Sequence, residues 1–384
     1  MPTRREFLGY VGGAAAGLVI SEEAIDAAMS RATQAGPATA RRQISVGGRR
    51  VRTIDVHTHC FIAEVWPLVR DHEWRDQRIL GAINKTRSER VGFDLVGARR
   101  LAHMDRAGTD TQVLSINPFW SLADEKLVRQ VCDVQNRGLA AVCKAYPGRF
   151  LAYAAVALQF PELAAEQVEQ AVKQFGFVGA SIPCNVNGEE LFSAKLDPFW
   201  KKLQDLGVVA FMHPGNDGGF DGERYPKGMN DRLGGHGMLF NTIGHPLETS
   251  IALAHMIYEG TFDRFPGLKI IGAHGGGFIA AYTERFDAAC VFDPKACRPG
   301  QKKPSEYFKN QIFCDTKVFT TEALRHLVAE HTAPQILFGT DHPAAWPVGG
   351  VDQILNTPGL SDADKTSILG GRFAQMLRLP ATVT

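Results

Sequence analysis

The stretch TIDVHTHC, residues 53–60, has the apolar character of a buried strand, yet it carries two histidines two positions apart. Side chains alternate between the two faces of a strand, so Asp55, His57 and His59 share one face. Two imidazoles buried on the same face are costly unless something binds them. The stretch therefore predicts a buried strand whose end presents a pair of ligand groups.

Seven further strand-like runs follow this one, separated by segments of helical length. The runs are short and almost continuously apolar, as expected for strands that are covered on both faces. They span residues 111–116, 150–156, 177–182, 208–212, 268–273, 312–315 and 335–339. Between them, the segment from Asp124 begins with a helix-capping residue and stops before Pro147, and another runs from Pro161 to Gly176.

Eight strand and helix units predict an α/β fold in which a parallel sheet closes into one (β/α)8 TIM-type barrel. A doubly wound open sheet is the alternative. That fold would need a glycine-rich phosphate loop after the first strand, and the sequence has none.

Length and composition allow one large α/β domain or two smaller ones: the chain has 384 residues, is 45% hydrophobic and carries a net charge of +1. The charge gives no basic surface for nucleic acid, so we expect no nucleic-acid partner. No apolar run reaches the length of about 20 residues that a bilayer-spanning helix needs. A stable membrane span is therefore not expected.

The N-terminus carries the pair Arg4 and Arg5, then Phe7 and Leu8, and then a short run rich in glycine and alanine. This pattern resembles a twin-arginine export signal, with a basic arm that has no targeting role as the alternative. We predict that residues 1–42 form the signal and a flexible arm, and that residues 43–384 form the barrel domain. The predicted location is the periplasm or the exterior of the cell.

The seven cysteines are odd in number and show no CxxC spacing. Together with export in the folded state, this predicts that no disulfide framework is present. We expect Cys132, Cys143, Cys184 and Cys314 to be small core residues.

Polar residues follow four of the predicted strands. His57 and His59 end the first, His213 follows the fifth, His274 the sixth and Asp341 the eighth. Carboxyl ends of barrel strands meet at one face, where active sites are built. Each residue alone could be structural; Asp341, for example, could cap a helix. Together, imidazoles and one carboxylate predict a site for one divalent ion such as zinc, with a position left for water.

We expect structural roles for the histidines that lie in predicted helices or loops, away from these strand ends. They are His72, His103, His236, His245, His255, His326 and His331.

The motifs IDVHTHC, HPG, AHGGG and GTDHP, in this order and at these strand ends, resemble the amidohydrolase-related metal-dependent family of the amidohydrolase 2 type. Within it the pattern is most similar to the branch of α-amino-β-carboxymuconate-ε-semialdehyde decarboxylase. Further matching segments include LAHMDRAGTDTQVLS, GHPLETSIA and GTFDRFPGLK. The resemblance extends from about Thr53 to near the C-terminus.

The resemblance implies that His57, His59, His213 and Asp341 are the metal ligands. It implies that His274 is the acid/base that hydrogen-bonds the metal-bound water, with Asp341 assisting the proton transfer. The implied cofactor is one Zn²⁺ ion, with other divalent metals as alternatives.

The resemblance also implies two arginines that bind the substrate carboxylate. One lies in the loop before MDRAG, where the sequence offers Arg87, which we prefer, or Arg90; solvated charge is the alternative role. The other is donated across a dimer interface and matches Arg285. A homodimer acting on a small-molecule carboxylic acid is therefore expected.

The sequence departs from the decarboxylase pattern at two positions near the predicted site. The pattern has an aromatic residue directly after HP, where this chain has Gly215, and another before GHPLET, where this chain has Asn241. These changes predict an intact metal site beside a rebuilt substrate pocket.

The leading prediction is a zinc-dependent, non-oxidative decarboxylase (carboxy-lyase) of a small unsaturated or phenolic carboxylic acid. The alternative is a metal-dependent hydrolase or hydratase of a lactone, an amide or a C=C bond. A metal-binding protein without catalysis is the least favoured, because an ion with four ligands would not need His274.

Overall fold

The computed structural model describes residues 40–72, 96–215, 232–233, 236–344 and 349–378. Eight strands form one parallel sheet, and each strand overlaps one of the predicted runs. The strands are β1 Ile54–His59, β2 Thr111–Ser115, β3 Phe150–Ala155, β4 Gly179–Ile182, β5 Val209–Met212, β6 Lys269–Gly272, β7 Ile312–Asp315 and β8 Ile336–Leu337.

The strands are hydrogen-bonded in sequence order from β1 to β8. After β8, the chain returns alongside β1: the amide of Val56 donates to the carbonyl of Phe338 over 2.8 Å, and the amide of Asp341 donates to the carbonyl of His57 over 2.8 Å. These bonds join the last strand to the first. The predicted (β/α)8 barrel is confirmed, and the open doubly wound sheet was the wrong alternative.

Helices follow each of the eight strands along the chain, and the last three come after β8. They are α1 Trp66–Val69, α2 Ala98–Ala107, α3 Glu125–Ala145, α4 Pro161–Phe175, α5 Asp197–Leu206, α6 His245–Tyr258, α7 Thr261–Arg264, α8 Thr283–Phe292, α9 Pro304–Phe308, α10 Thr321–His331, α11 Val351–Asn356, α12 Asp362–Thr366 and α13 Arg372–Met376. Two short antiparallel hairpins, Ser45–Val46 with Arg49–Arg50 and Asn185–Val186 with Glu189–Glu190, lie outside the main sheet.

The helix boundaries of α3 and α4 follow from their sequence signals. The Asp124 side chain accepts a hydrogen bond from the Leu127 amide over 2.8 Å, which caps α3. Pro161 begins α4, and Gly176 ends it in the left-handed conformation at φ 70°. Both predicted helices are confirmed.

The barrel interior is filled by side chains from the strands, as in other barrels of this size. Phe211 stacks on Tyr153 with ring centroids 5.2 Å apart, and its ring lies 5.0 Å from that of His57. Phe313 and Phe373 belong to the same buried inner cluster. This apolar packing lies beneath the polar residues at the carboxyl ends of the strands.

One disulfide links Cys290 and Cys297, whose Cα atoms are 5.4 Å apart, within the usual range for such bonds. The sequence gives no signal for this pair, and the bridge is local, because its two cysteines are only seven positions apart. The four cysteines expected in the core are free thiols that are buried or half-buried.

No helix among the described residues combines the length and apolarity that crossing a membrane requires. The twin-arginine prediction falls on residues outside the described ranges, and the proposed boundary at residue 43 stays a prediction.

Candidate metal centre

The five polar residues predicted at strand ends meet at the carboxyl end of the barrel. His57, His213, His274 and Asp341 each offer one ligand atom, and these atoms all lie within 4.8 Å of one another. His59 joins them, because its Nε2 lies 3.2 Å from His57 Nε2 and 3.2 Å from Asp341 Oδ1. Four imidazoles and one carboxylate thus surround a space that one ion could share.

Burial sets the charge of the imidazoles in this cluster. It lowers the pKa of His59 to about 4. Burial, helped by the neighbouring imidazoles, also holds the pKa of His213 well below its usual value. Both rings are therefore neutral at pH 7, which is the form that binds a metal.

His57 and Asp341 carry the opposing charges of the cluster. Burial disfavours a charge on His57, but the carboxylates of Asp341 and Asp315 outweigh burial and raise the pKa of His57 to about 10. Burial would raise the pKa of Asp341, and the charge of His57 reverses this and holds that pKa well below its usual range. A divalent cation would replace the His57 proton as the partner of this carboxylate.

The ring nitrogens of His213 indicate whether the cluster fits a metal ion. Both of its ring nitrogens are buried, and neither has a hydrogen-bond partner among the described residues. Leaving a buried polar atom unpaired costs free energy, and ligation would satisfy one of the two nitrogens. The imidazole-rich donor set fits a borderline divalent ion such as zinc.

The orientation of His57 is fixed by Asp315 at the end of β7. His57 Nδ1 lies 2.5 Å from Asp315 Oδ2, so the proton sits on Nδ1 and Nε2 faces the cluster. Asp315 also accepts the amides of His274 over 3.1 Å and Gly275 over 2.7 Å. One carboxylate therefore aligns a ligand and holds the turn that carries His274.

Ser115 at the end of β2 orients His59 in a similar way. The Ser115 hydroxyl donates to the Thr58 carbonyl over 2.8 Å and accepts from His59 Nδ1 over 2.9 Å. His59 Nε2 is therefore the nitrogen that is left to face the cluster.

Asp55, which shares a strand face with both histidines, holds the segment that leads to Asp341. It accepts the Thr340 amide over 3.0 Å and the Thr340 hydroxyl over 2.6 Å. Burial raises the pKa of Asp55 to about 6, although the Thr340 hydrogen bonds oppose the shift. Asp341 itself has φ 63°, an uncommon value for a residue with a side chain and one that recurs at functional sites.

His274 lies on a tight turn after β6, not within a regular helix. Its φ is 56°, and three glycines with positive φ follow it. Its Nε2 lies 3.9 Å from Asp341 Oδ2, and its side chain is 12% exposed. His274 is therefore the member of the cluster that is placed to meet both the carboxylate and an entering molecule.

Three residues near the centre had no predicted role in catalysis. Asp315 ends the seventh predicted strand, and an acid at a barrel strand end is a usable signal for a site residue. Lys317, two residues further on, is 5% exposed, and burial lowers its pKa against the opposing effect of Asp341 and Asp315. His245 was expected to be structural, yet its ring lies 5.7 Å from that of His274 and 6.1 Å from that of His213.

Of the predicted carboxylate-binding arginines, only Arg285 is among the described residues. Arg87 and Arg90 lie outside the described residues. Arg285 is exposed in the first turn of α8. The role of each stays a prediction.

Comparison with known proteins identifies related sequences. The family model described as Amidohydrolase matches residues 54–372. The gamma-resorcylate decarboxylase of Polaromonas sp. strain JS666 is 31% identical over 297 residues, which cover 73% of this chain and 87% of the relative. The 2-amino-3-carboxymuconate-6-semialdehyde decarboxylase of Dictyostelium discoideum is 29% identical over 288 residues, which cover 73% and 76%.

Solved structures share the fold. That of 5-carboxyvanillate decarboxylase from Sphingomonas paucimobilis has a TM-score of 0.74 at 25% identity and covers 86% of this chain and 100% of its own. The dihydroxybenzoic acid decarboxylase from Polaromonas sp. JS666, solved with manganese and the inhibitor 2-nitroresorcinol, has a TM-score of 0.66 at 26% identity and covers 85% and 97%.

Proposed function

The chain belongs to the amidohydrolase family, as its motifs predicted, and on this basis we propose that it is a metal-dependent, non-oxidative decarboxylase of a small aromatic carboxylic acid. The observation that carries the proposal is the position of His274, an acid/base group 3.9 Å from the carboxylate of a buried ligand cluster. The two relatives and two structures named above are decarboxylases, which supports decarboxylation over hydrolysis.

His57, His59, His213 and Asp341 would hold one divalent ion, which we propose to be zinc because imidazoles dominate the donor set. When bound, the ion supplies Lewis-acid polarisation of substrate oxygen atoms. A related structure contains manganese, so elemental analysis of protein purified without added metal is the direct test. We expect about one zinc per chain, and manganese in its place would overturn this choice of ion.

His274 performs the proton chemistry. Its protonated ring donates a proton to the substrate carbon that bears the carboxylate. The bond from that carbon to the carboxylate then breaks, its electron pair restores the ring, and carbon dioxide leaves. Asp341 Oδ2, 3.9 Å from His274 Nε2, stabilises the imidazolium before the transfer. The overall change consumes one proton and no oxidant.

We propose that Arg87 binds the departing carboxylate, with Arg90 as the alternative, and that the partner subunit's Arg285 completes the site in a homodimer. The exposed apolar side chains around Arg285 support an interface there: Tyr282 is 60%, Val291 81% and Phe292 93% exposed. Exposed apolar clusters of this kind mark interaction surfaces.

We propose export through the twin-arginine route. The support is the sequence pattern at Arg4 and Arg5, which is followed by Phe7, Leu8 and a short run rich in glycine and alanine. Changing both arginines to lysine should retain the protein in the cytoplasm, as cell fractionation would show. Equal export of the double variant would contradict the route.

The test of the reaction uses zinc-loaded protein and a panel of hydroxylated benzoic acids, with lactones and amides alongside. We expect headspace carbon dioxide from at least one aromatic acid and none from Asp341→Asn, which should also lose metal. Release of acid from a lactone or amide, without carbon dioxide from any substrate, would establish the hydrolase alternative instead.

A further inference from the structure

His245, the first residue of α6, stands beside the metal centre although the proposed ligand set does not include it. Its ring lies nearly parallel to that of His274, with centroids 5.7 Å apart and an interplanar angle of 24°. The His213 ring is 6.1 Å away and almost perpendicular. His245 as a residue is half-buried, and its Nε2 atom is buried.

Gly215 makes room for this ring. Its φ is +80°, and a Cβ atom built on it would lie 2.7 Å from His245 Nε2. No side chain at position 215 could coexist with His245 in its present place without displacing it. The imidazole edge therefore faces the space that a side chain at 215 would enter.

Asn241 holds the opposite edge of the ring. Its Nδ2 lies 3.4 Å from His245 Nδ1, so the amide donates to that nitrogen. A neutral imidazole that accepts at Nδ1 carries its proton on Nε2. The Nε2–H group of His245 is thus a hydrogen-bond donor on the side towards Gly215.

Gly215 and Asn241 are also the two positions at which the sequence departs from the aromatic residues of the decarboxylase pattern. Both departures meet at His245. The three residues form one patch. In this chain the patch contains the hydrogen-bond donor His245, whereas the decarboxylase pattern has aromatic side chains at positions 215 and 241.

We propose that His245 is a specificity-determining residue that donates a hydrogen bond from Nε2 to an oxygen substituent on the substrate ring, beside the carbon that His274 protonates. This inference rests on the proposed function, because it takes the ligand to be an aromatic acid. A site that hydrogen-bonds a substrate hydroxyl discriminates against the analogue that lacks it, since the donor is then left unpaired.

The test measures binding, not turnover, by calorimetry on the zinc-loaded full chain. The probes are 2-nitroresorcinol and 2-nitrophenol, which differ by one hydroxyl group. The wild type should bind 2-nitroresorcinol about three- to tenfold more tightly, the value of one hydrogen bond. His245→Phe should reduce this preference to within about twofold, whereas His245→Gln, which keeps a donor near the same place, should retain it.

His255→Phe is the matched control, because His255 lies on the same helix and stacks on Phe192 at 5.3 Å, away from the cluster. It should leave the preference unchanged. Asn241→Leu should reduce the preference for 2-nitroresorcinol as His245→Phe does. Without the Asn241 amide, the proton of His245 can move from Nε2 to Nδ1. All of these variants should hold as much zinc as the wild type.

Three outcomes would overturn the inference. An unchanged preference in both His245→Phe and Asn241→Leu would remove His245 from substrate recognition and leave the proposed function intact. Loss of zinc in His245→Phe would make the residue a ligand or a support of one. Failure of the wild type to bind either probe would overturn this inference and the proposed function together.

Discussion

At the scale of single residues, the centre depends on groups that align the ligands as much as on the ligands themselves. Asp315 pairs with His57 Nδ1 and receives the backbone amides of the His274 turn. Ser115 fixes His59, and Asp55 fixes the approach to Asp341 through Thr340. Such outer contacts set ring orientation and ligand basicity, so their loss weakens metal binding without removing a ligand.

Asp315→Asn tests this dependence. The amide cannot accept at both positions as the carboxylate does, so we expect metal affinity to fall by about 10- to 100-fold. Competition with a chelator measures the change. Asp133→Asn is the control, because Asp133 pairs with Arg137 on the outside of α3 and should leave affinity unchanged. Equal affinities for the wild type and Asp315→Asn would show that His57 needs no orienting partner.

The sequence predicts the proposed ligands, and the structure brings them together, because each stands at the end of a recognisable strand. It does not identify the role of Asp315, whose partner His57 lies 258 positions away. Nor does it identify His245, because a histidine at the start of a helix is usually structural, and its contact with His274 depends on how α6 packs over β6. Contacts of this kind depend on how distant segments pack against each other in the fold, which local sequence patterns do not specify.

At the scale of elements, the turn after β6 decides where His274 lies. Its glycines adopt positive φ, and a Cβ atom on Gly277 would lie 2.5 Å from the carbonyl oxygen of Pro246 at the start of α6. The turn therefore needs glycine for conformation and also for the close approach of α6.

Gly277→Ala compared with Gly148→Ala separates these two needs. Both glycines have positive φ, at 71° and 76°, but a Cβ atom on Gly148 meets nothing within 4 Å. We expect Gly148→Ala to lower the free energy of unfolding by about 1–2 kcal/mol, from conformation alone. Gly277→Ala should lower it by about 2–5 kcal/mol, because Gly277 has ψ −161°, a conformation that residues with a side chain scarcely adopt, and because the collision adds to that cost. Chemical denaturation measures both, and equal losses would rule out the collision.

The strands were predictable because burial on both faces leaves a continuous apolar run, a signal that is independent of partners. The closure of the barrel was predictable only as a consequence of strand number. The bonds that achieve it join β1 to the carbonyl of Phe338 and to the amide of Asp341, whose φ is positive. Neither feature has a sequence signal of its own.

At the scale of the whole molecule, each active site of the proposed homodimer contains residues from both chains. Co-expression of Arg285→Ala with His274→Ala tests this arrangement. In a mixed dimer, one site keeps His274 and receives an intact arginine from its partner. We expect each variant alone to be inactive and the mixture to recover about a quarter of wild-type turnover, since on the order of half of randomly paired dimers are mixed and each has one complete site.

Recovery of carbon dioxide release in the mixture, with a dimer mass by light scattering, supports the shared site. Arg285→Ala with full activity as a homogeneous protein would contradict it. The exposed ring of Phe292 offers a second readout, because Phe292→Asp should weaken the dimer if this face is the interface.

The central claim is that this centre replaces a carboxylate with a proton supplied through His274. The most direct measurement follows the reaction of the zinc-loaded protein in heavy water by NMR, with a ¹³C-labelled carboxylate on the accepted aromatic acid. We expect equal amounts of labelled carbon dioxide and of product carrying one deuterium at the carbon that held the carboxylate, with neither formed by His274→Gln at unchanged zinc content. Carbon dioxide released at the wild-type rate by His274→Gln, or product oxygenated at that carbon, would contradict it.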